Sequence, residues 1–363
     1  MFTENNPFTP SFGRVPPHMA GRKLLTNDLA KAFSGNGNDP YLQTIFVGAR
    51  GTGKTAILAR TCSIAEERGW ISVSTTCSEG MLDDLYQQAV AAASHLVDAA
   101  ERPRLKGVGI GQILEIEWEP AVHPSANWRT KMAYLLDALA ETGTGLVLTV
   151  DEVRPRIGEM ERLASVFQHF VSEGRRVALV MAGLPHQVSQ LVSSDAVSFL
   201  GRASLVALGR IEDEDIEDAL RKTIVDGGKQ IDRDALQTCV AAIGGFPYMM
   251  QLVGFRAWDA SGEAVAIANR DAELGVEAAR RDMERQILIP AWASLSNGDK
   301  AFCKAMSSGC RTAIEIAQFM EKKPNYVSKY KQRLLEQGVI EQDVYSRLDF
   351  SLPGFLEFVK RAE

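Results

Sequence analysis

The feature that most constrains the fold is the stretch from Gly48 to Thr55, which reads G-x-x-x-x-G-K-T. The preceding residues 44–47 form a short β-branched and apolar run, as a buried parallel strand requires, and a helical pattern opens at Ala56. In such a unit the glycines let successive backbone N–H groups point at phosphate oxygens, and the helix N-terminus adds partial positive charge. The stretch therefore predicts a phosphate-binding loop for a nucleotide.

The side chains of this loop have separate predicted roles. Lys54 stands where it can reach the β- and γ-phosphates, and the Thr55 hydroxyl stands where it can ligate Mg²⁺. The alternative is a glycine-rich turn that matches by accident, but the strand before it and the helix after it favour a true phosphate site. The predicted nucleotide contacts are Gly48, Ala49, Arg50, Gly51, Thr52, Gly53, Lys54, Thr55 and Ala56.

A second chemical element lies at residues 145–152, where an apolar strand ends in Asp151 and Glu152. Downstream of a phosphate-binding loop this pattern predicts a Walker B strand, in which Asp151 holds Mg²⁺ through water and Glu152 orients and polarises the attacking water. The alternative is an ordinary buried strand that ends in an acidic turn. The adjacent glutamate favours ATPases over GTPases and small-molecule kinases.

Composition excludes several classes of protein. The chain has 363 residues, 45% of them apolar and 24% charged, as expected of a globular protein with about two or three domains. No run approaches the roughly eighteen apolar residues of a membrane span, so no membrane partner is expected. The N-terminus has no basic region followed by an apolar one, so we expect no signal peptide. The five cysteines form no C-x-x-C pattern, which predicts reduced thiols in a cytoplasmic chain and argues against a zinc site.

The order of patterns along the chain predicts four regions. Residues 1–19 are an extended lead-in, residues 20–210 an α/β domain, residues 211–291 a purely helical lid and residues 292–363 a winged helix-turn-helix. The α/β domain alternates strands and helices, and a β-hairpin is expected to be inserted near 105–120, with His123 as a surface loop residue. The lid helices are predicted at 213–224, 233–243, 248–258 and 276–287.

The last region carries the winged-helix pattern. Thr312 and Glu315 form a T-x-x-E capping box, and a turn at 321–324 leads to a helix over 325–337 that buries Val327, Tyr330 and Leu334. Strands at 339–340 and 348–352 form the predicted wing. The outward residues suit the major groove and phosphates of DNA, although protein-interaction modules carry the same residue types. The predicted DNA contacts are Asn325, Ser328, Lys329, Gln332, Arg333 and, near the wing tip, Arg347.

Charge is distributed unevenly. From Trp292 onward eleven Lys and Arg stand against nine Asp and Glu, so this region carries a net charge of +2, while the whole chain carries −6. The body before it is therefore at −8. A mildly basic end on an acidic body indicates where an acidic polymer would dock.

With these elements in order, the chain resembles the STAND and origin-recognition-like branch of AAA+ P-loop ATPases with a C-terminal winged helix. The resemblance runs from Gly21 to the end, and Gly21-Arg22 and Gly245-Phe246-Pro247 point to this branch. It implies an α/β P-loop NTPase fold with an AAA+-type parallel sheet, followed by a helical lid and a winged helix-turn-helix. It also implies ATP or ADP with Mg²⁺ as cofactors.

The resemblance assigns further site residues. Gly21 and Arg22 would lie near the adenine, and Pro247 on the lid would pack near the base. Arg202 matches the arginine that approaches the γ-phosphate in the family, so Glu152, Lys54 and Arg202 form the predicted catalytic set; the alternative for Arg202 is a surface cation at a helix end. Related ATPases end the strand at 176–183 in a polar residue that senses the γ-phosphate, whereas this chain has Ala182-Gly183-Leu184. That absence fits slow or regulated hydrolysis as well as an active motor.

Three functions remain open from the sequence. The leading one is an ATP-dependent switch whose nucleotide state controls a winged helix bound to double-stranded DNA, with nucleotide-dependent homo-oligomers. The second is a replication-initiator-like or transposition-related ATPase that assembles on DNA. The third is a signalling or interaction scaffold that binds nucleotide but no DNA.

Overall fold

The structure is a computed structural model that describes residues 6–11, 14–35, 37–100, 127–155, 158–343 and 345–362. The β-hairpin predicted near 105–120 and His123 lie outside the described residues.

A five-stranded parallel sheet, in the order β2-β3-β4-β1-β5, organises the first half of the chain. Because parallel strands end at the same edge, the sheet brings the loops after β1, β3 and β4 together. β1 lies between β4 and β5, with Val47 opposite Gly183 on one side and Ala207 on the other. The strands are β1 (Gln43–Val47), β2 (Trp70–Thr76), β3 (Gly145–Asp151), β4 (Val177–Gly183) and β5 (Ser204–Ala207).

Helices cover both faces of this sheet, which is why its central strands read as continuous apolar runs. Along β3, Leu146 and Leu148 face a core shared with Met132 and Phe167, whereas Val147 faces a core shared with Phe33. A short 3₁₀ segment, Asp195–Arg202, precedes β5. The flanking helices are α1 (Lys23–Ser34), α2 (Lys54–Glu66), α3 (Met81–Ala100), α4 (Trp128–Glu141), α5 (Gly158–Ser172) and α6 (Pro185–Val192).

The next region is a helical lid, but the prediction of a purely helical pattern is wrong at two places. Two-residue strands, β6 (Gln230–Ile231) and β7 (Ala266–Ile267), pair in parallel between the helices. They are too short to give a periodic signal in sequence. The helices are α7 (Asp213–Asp226), α8 (Arg233–Ile243), α9 (Pro247–Ala260), α10 (Asn269–Met283) and, after a π-type turn, α11 (Ile289–Ala293).

The N-terminal segment has no helix or strand over residues 6–11, but it is part of the lid. Phe8 is buried against α9, where a Cβ on Gly254 would overlap its ring. The Asn6 side-chain amide donates to the carbonyl of Phe255, and the Thr9 N–H donates to Gln251 Oε1 at 3.0 Å. The lead-in is therefore tied to α9 by side chains as well as by backbone.

The C-terminal region consists of helices followed by an antiparallel two-stranded hairpin and a last helix. The predicted capping box is present, since the Thr312 hydroxyl accepts the Glu315 N–H and the Glu315 carboxylate accepts the Thr312 N–H. The predicted boundary at 291/292 falls inside α11, and this region shares one continuous core with the lid. The elements are α12 (Asn297–Ser307), α13 (Ala313–Phe319), α14 (Pro324–Glu336), β8 (Ile340–Gln342), β9 (Leu348–Phe350) and α15 (Phe355–Arg361).

Among the residues that the structure describes, none of the helices combines the length and hydropathy needed to cross a lipid bilayer.

Candidate nucleotide site and C-terminal surface

The glycines of the loop after β1 are required by its backbone. Gly51 and Gly53 have φ of 79° and 85°, in the left-handed region that L side chains rarely adopt. At Gly48 there is no room for a side chain, because a Cβ there would lie 2.5 Å from Thr52 Oγ1 and 2.8 Å from the Leu208 carbonyl oxygen. The loop thus has the tight turn that lets backbone N–H groups converge on a phosphate.

Lys54 begins α2 and is held inside the loop. Its Nζ donates to the carbonyl oxygens of Gly48 at 2.9 Å and Ala49 at 2.7 Å. Burial lowers the pKa of Lys54 to about 8; the Asp151 carboxylate opposes this shift, and nearby Arg50 adds to it. The ammonium group and the helix N-terminus at Gly53 therefore form one anion-binding position.

Thr55 and Asp151 meet across the sheet edge. The Thr55 hydroxyl donates to Asp151 Oδ2 at 2.6 Å, and Asp151 Oδ1 accepts the Glu152 N–H at 2.8 Å. A hydroxyl and a carboxylate oxygen are the hard ligands that Mg²⁺ prefers, so these two residues fit the predicted metal position. They are 96 residues apart in sequence and are brought together by the β3 and β1 ends.

Glu152 follows Asp151 in a strained conformation. Its φ is 53°, a left-handed value that costs about 1–3 kcal/mol for a residue other than glycine. The Val153 N–H bonds to the Ala182 carbonyl at 2.9 Å and fixes the turn after β3. The Glu152 carboxylate is exposed, with Oε2 3.3 Å from Arg154 Nη2. The turn therefore presents an exposed carboxylate at the same edge as Lys54.

The end of β4 lies between these two loops. As the sequence indicated, Ala182, Gly183 and Leu184 offer no polar side chain there. His186, on the first turn of α6, lies beside Gln190, with its Nε2 4.0 Å from Glu336 Oε1 of α14. Its polar neighbours thus come from α6 and the C-terminal region.

The fold does not bring Arg202 to the loop of its own chain. Arg202 is exposed and precedes β5, whose first residue, Ser204, pairs with Thr44. The loop follows Val47, at the other end of β1, about 10 Å further along the strand. Within one chain, Arg202 and the phosphate-binding loop therefore lie toward opposite edges of the sheet.

The residues assigned to the base by resemblance do come together. One cavity is bordered by Arg22 from the start of α1, by Pro247 from the start of α9, and by Thr52, Gly53 and Ala56 of the loop. Arg22 Nη2 donates to the Gly209 carbonyl at 3.1 Å, and burial lowers the pKa of its guanidinium. Neighbouring Gly21 has φ 64° and packs against Ile211.

Sequence reasoning missed other residues of this cavity. Its remaining lining includes His18 of the N-terminal segment and Met250 and Gln251 of α9. Gln251 stands one helical turn after Pro247, which is the only local signal that could have placed it beside the base. His18 is paired with Asp226 at 2.7 Å.

The exposed face of α14 carries most of the residues that the sequence predicts as DNA contacts. Asn325, Ser328, Lys329 and Gln332 are exposed, and Arg347 is exposed at the hairpin. The Ser328 hydroxyl bonds back to the Pro324 carbonyl, and the Gln332 amide bonds to Glu336. The prediction missed Lys322, Lys323 and Tyr326, which are exposed around the start of α14 and extend this face.

Arg333 requires a correction. Its guanidinium binds Asp299 Oδ1 through Nη2 at 2.6 Å and through Nε at 3.0 Å, and Nη2 also donates to Ser296 at 2.9 Å. Asp299 is only 1% exposed, and the hydrogen bond with its carboxylate raises the pKa of the Arg333 guanidinium. Arg333 therefore joins α14 to α12 and does not point freely at a partner.

The C-terminal region also contacts the phosphate-binding loop. Gly338, just after α14, has φ 65°, and a Cβ there would lie 3.0 Å from Leu184 Cδ1 and 3.3 Å from Arg50 Nε. A cavity of about 350 Å³ continues from this contact and is bordered by Ala49, His186 and Glu341. Burial raises the pKa of Glu341. The loop and the C-terminal region are thus neighbours in this conformation.

Three solved structures resemble the chain over almost its full length. A Walker-type ATPase of Pyrococcus abyssi has 14% identity and a TM-score of 0.68, with 97% of this chain and 99% of that chain covered. The ORC2 protein of Aeropyrum pernix in its ADPNP–ADP complexes has 12% identity and a TM-score of 0.63, with 97% of each chain covered. Cdc6p of Pyrobaculum aerophilum has 16% identity and a TM-score of 0.50, with 97% and 95% covered. The chain has the fold of these proteins.

This likeness confirms the predicted fold class of an AAA+-type α/β P-loop NTPase. A family model described as a domain of unknown function (DUF8462) matches residues 285–359, which run from the π-type turn after α10 into α15. No curated protein is detectably similar in sequence.

Proposed function

We propose that this chain is a nucleotide-dependent switch that binds and slowly hydrolyses ATP and whose nucleotide state controls a DNA-binding winged helix. The observation that carries the proposal is the joint position of three parts at one sheet edge. These are the phosphate-binding loop with Lys54, the Thr55–Asp151 pair, and the contact of Gly338 with Arg50.

The nucleotide part of the proposal rests on the loop. The nucleotide phosphates take the place of the Gly48 and Ala49 carbonyls as partners of the Lys54 ammonium group. Thr55 and Asp151 would hold Mg²⁺, which supplies positive charge to the phosphate oxygens when bound. Arg22 and Pro247 enclose the base side of the site. Adenine is the base proposed, following the resemblance of these two motifs.

The hydrolytic part rests on Glu152. Its carboxylate is exposed at the same edge as Lys54, where it can accept a hydrogen bond from a water that attacks the γ-phosphate. The apolar end of β4 removes one group that would otherwise contact that phosphate. Slow turnover is consistent with a switch, because each nucleotide state then persists long enough to be read.

The coupling rests on the contact between loop and C-terminal region. Arg50 belongs to the loop that must adjust when phosphate binds, and Gly338 leaves room for it only because it lacks a side chain. Helix α14 ends next to Gly338, so a displacement of the loop is transmitted to the helix that carries the exposed basic face.

The DNA part rests on α13, α14 and the β8–β9 hairpin, which follow one another in the order of a winged helix. Exposed cations gather on this unit at Lys322, Lys323, Lys329 and Arg347. Cations at a helix start and a hairpin tip suit the phosphates that flank a major groove. The acidic body makes non-specific attraction of DNA a poor alternative explanation.

Arg202 has a proposed role in the assembly of several copies of the chain. Because it lies away from the loop of its own chain, it can reach a γ-phosphate only in the site of a neighbouring copy. ATP-dependent homo-oligomers would then be more active than monomers. The fold shared with an ORC2 protein favours a second candidate function, an ATPase that assembles along DNA.

The test measures duplex binding by fluorescence anisotropy in ADP, in a non-hydrolysable ATP analogue and without nucleotide, beside size-exclusion chromatography. We expect affinity to differ by about tenfold between nucleotide states and to fall as salt rises. Lys329→Ala should reduce the salt slope by about one unit, whereas Lys360→Ala, the same charge change on α15, should not.

The other possible outcomes of this test each favour a different function. Assembly on long DNA only with ATP supports the second candidate. If no nucleotide state binds duplex DNA at low salt while ATP still binds, the DNA proposal is wrong and a nucleotide-dependent interaction scaffold replaces it.

A further inference from the structure

The side chain of Gln251 is buried at the base cavity in a fixed orientation. It is 8% exposed and lines the cavity next to Met250 and Pro247. Its Oε1 accepts the Thr9 backbone N–H at 3.0 Å. Since a backbone N–H can donate only to the oxygen of the amide, this bond decides which end of the side chain is Oε1 and which is Nε2.

The Nε2 group of this amide carries two N–H donors. Among the residues that the structure describes, the hydrogen bond of this side chain is made through Oε1, and Nε2 donates to no protein acceptor. Nε2 is not fully buried, so a ligand in the cavity can reach it and accept a hydrogen bond from it. The cavity beside it also borders Thr52 and Gly53 of the phosphate-binding loop.

The N-terminal segment keeps Gln251 in place. The residues before Thr9 are anchored, because Phe8 is buried against Gly254 and Asn6 bonds to the Phe255 carbonyl and to Asp259. These contacts hold the Thr9 N–H over α9. Asn6 anchors the N-terminal segment but does not line the cavity, so it is a useful control position.

We propose that Gln251 is a specificity-determining residue of the nucleotide site, whose Nε2 donates a hydrogen bond to a ring nitrogen of the purine base. The inference rests on the proposed function, since it needs the base to occupy this cavity. An amide N–H₂ group requires an acceptor on the base edge, and the purine ring offers N1, N3 and N7 for that purpose. The exocyclic amino group of adenine cannot serve, because it is itself a donor.

The test compares ATP with 1-deaza-ATP, 3-deaza-ATP and 7-deaza-ATP, each of which replaces one ring nitrogen by C–H. Binding is measured by calorimetry with Mg²⁺ on the full chain. We expect one of the three analogues to bind the wild-type protein about tenfold more weakly than ATP, as loss of one hydrogen bond predicts. The other two should bind as ATP does.

Two variants locate the partner of that nitrogen. Gln251→Met removes both amide groups at similar length, and Gln251→Glu keeps an acceptor for the Thr9 N–H but replaces the donor. Both should bind ATP about tenfold more weakly and should no longer distinguish ATP from the critical analogue. Asn6→Ala, which loosens the segment without touching the cavity, should keep the wild-type discrimination.

The outcomes separate the two proposals. If ATP does not bind the wild-type protein, or binds Lys54→Ala equally well, the proposed nucleotide site itself is wrong. If ATP binds through Lys54 but all three analogues match ATP, the Gln251 inference is wrong. It is also wrong if the Gln251 variants lose the same factor for ATP, every analogue and inorganic triphosphate, because that pattern shows a structural role only.

Discussion

The phosphate-binding loop and helix α14 both hold a cation against oxygen partners, but the partners come from very different distances along the chain. Lys54 is bound by carbonyls six and five residues before it. Arg333 is bound by a carboxylate 34 residues before it, on another helix. The first cation is fixed by the turn that contains it, whereas the second is fixed by the packing of α14 on α12.

This difference decides which cation is available to a ligand. The partners of Lys54 are carbonyl oxygens in a loop that can open, and phosphate oxygens replace them with stronger, charge-assisted bonds. The partner of Arg333 is the buried carboxylate of Asp299, and a DNA phosphate could replace it only if that carboxylate were left unpaired. Lys329 and the lysines just before α14 are therefore the cations of this region that a partner could contact.

The largest expected effect is on hydrolysis. Glu152→Gln should lower ATP turnover by about 10²–10⁴-fold, because an amide keeps the shape of the side chain but cannot polarise the attacking water. ATP affinity should stay within about threefold of the wild-type value. Steady-state phosphate release and calorimetry measure the two quantities, and unchanged turnover would assign water activation to another group.

The next effect is on nucleotide affinity. Lys54→Ala should weaken ATP binding by about a hundredfold or more, because the phosphates lose their charge-assisted partner. The loop carbonyls that Lys54 satisfies can turn to water, so the thermal midpoint should change little. Wild-type affinity in this variant would contradict the assignment of the loop.

The two cations of α14 provide a matched pair. Arg333→Ala should lower the free energy of unfolding of the C-terminal region by about 2 kcal/mol, because it leaves the Asp299 carboxylate buried without its counter-ion. Lys329→Ala, an equal change of charge one turn earlier, should cost less than about 0.5 kcal/mol and weaken only DNA binding. Equal stability losses in urea unfolding would show that the ion pair does not organise this region.

Two glycines with left-handed backbone conformations separate the effect of backbone strain from the effect of a new side-chain contact. Gly338→Ala and Gly309→Ala both place a Cβ on a residue with positive φ, at a cost of about 1 kcal/mol. Only the first pushes a methyl group against Leu184 and Arg50, since a Cβ on Gly309 meets nothing within 4 Å. We expect ATP affinity to change by about two- to fivefold in Gly338→Ala alone. Equal ATP affinities in the two variants would show that the C-terminal region is not coupled to the phosphate-binding loop.

The smallest effect concerns Glu341, at the cavity between these regions. Burial raises its pKa in the folded protein, so the folded state binds more protons than the unfolded state in the window above the ordinary glutamate pKa. Stability should therefore fall as pH rises through that window. Glu341→Gln should remove this slope and raise stability at neutral pH by a few tenths of a kcal/mol, because the group is only half-buried. Thermal midpoints over pH 4.5–8 measure both.

Much of the fold and the conformation of the loop after β1 could be predicted because their determinants are contiguous. The strands around the loop were found at β1, β3 and β4 because buried parallel strands read as apolar runs. Gly51, Gly53 and Lys54 act through the backbone that contains them, and the Thr312 capping box acts within a single turn. In these cases the physical cause lies within a few residues, so a local pattern contains it.

Other features were decided only by the tertiary structure. Gln251 is oriented by Thr9, 242 residues earlier, and Arg22, Pro247 and Thr52 border one cavity only because the lid packs next to the phosphate-binding loop. The register of β5 against β1 placed Arg202 at the edge away from the loop of its own chain. A helical period shows which side of α14 is polar, but not that α12 presents a buried carboxylate to Arg333. Contacts of this kind depend on how distant elements pack, and a pattern within one element cannot contain the residue on the other side.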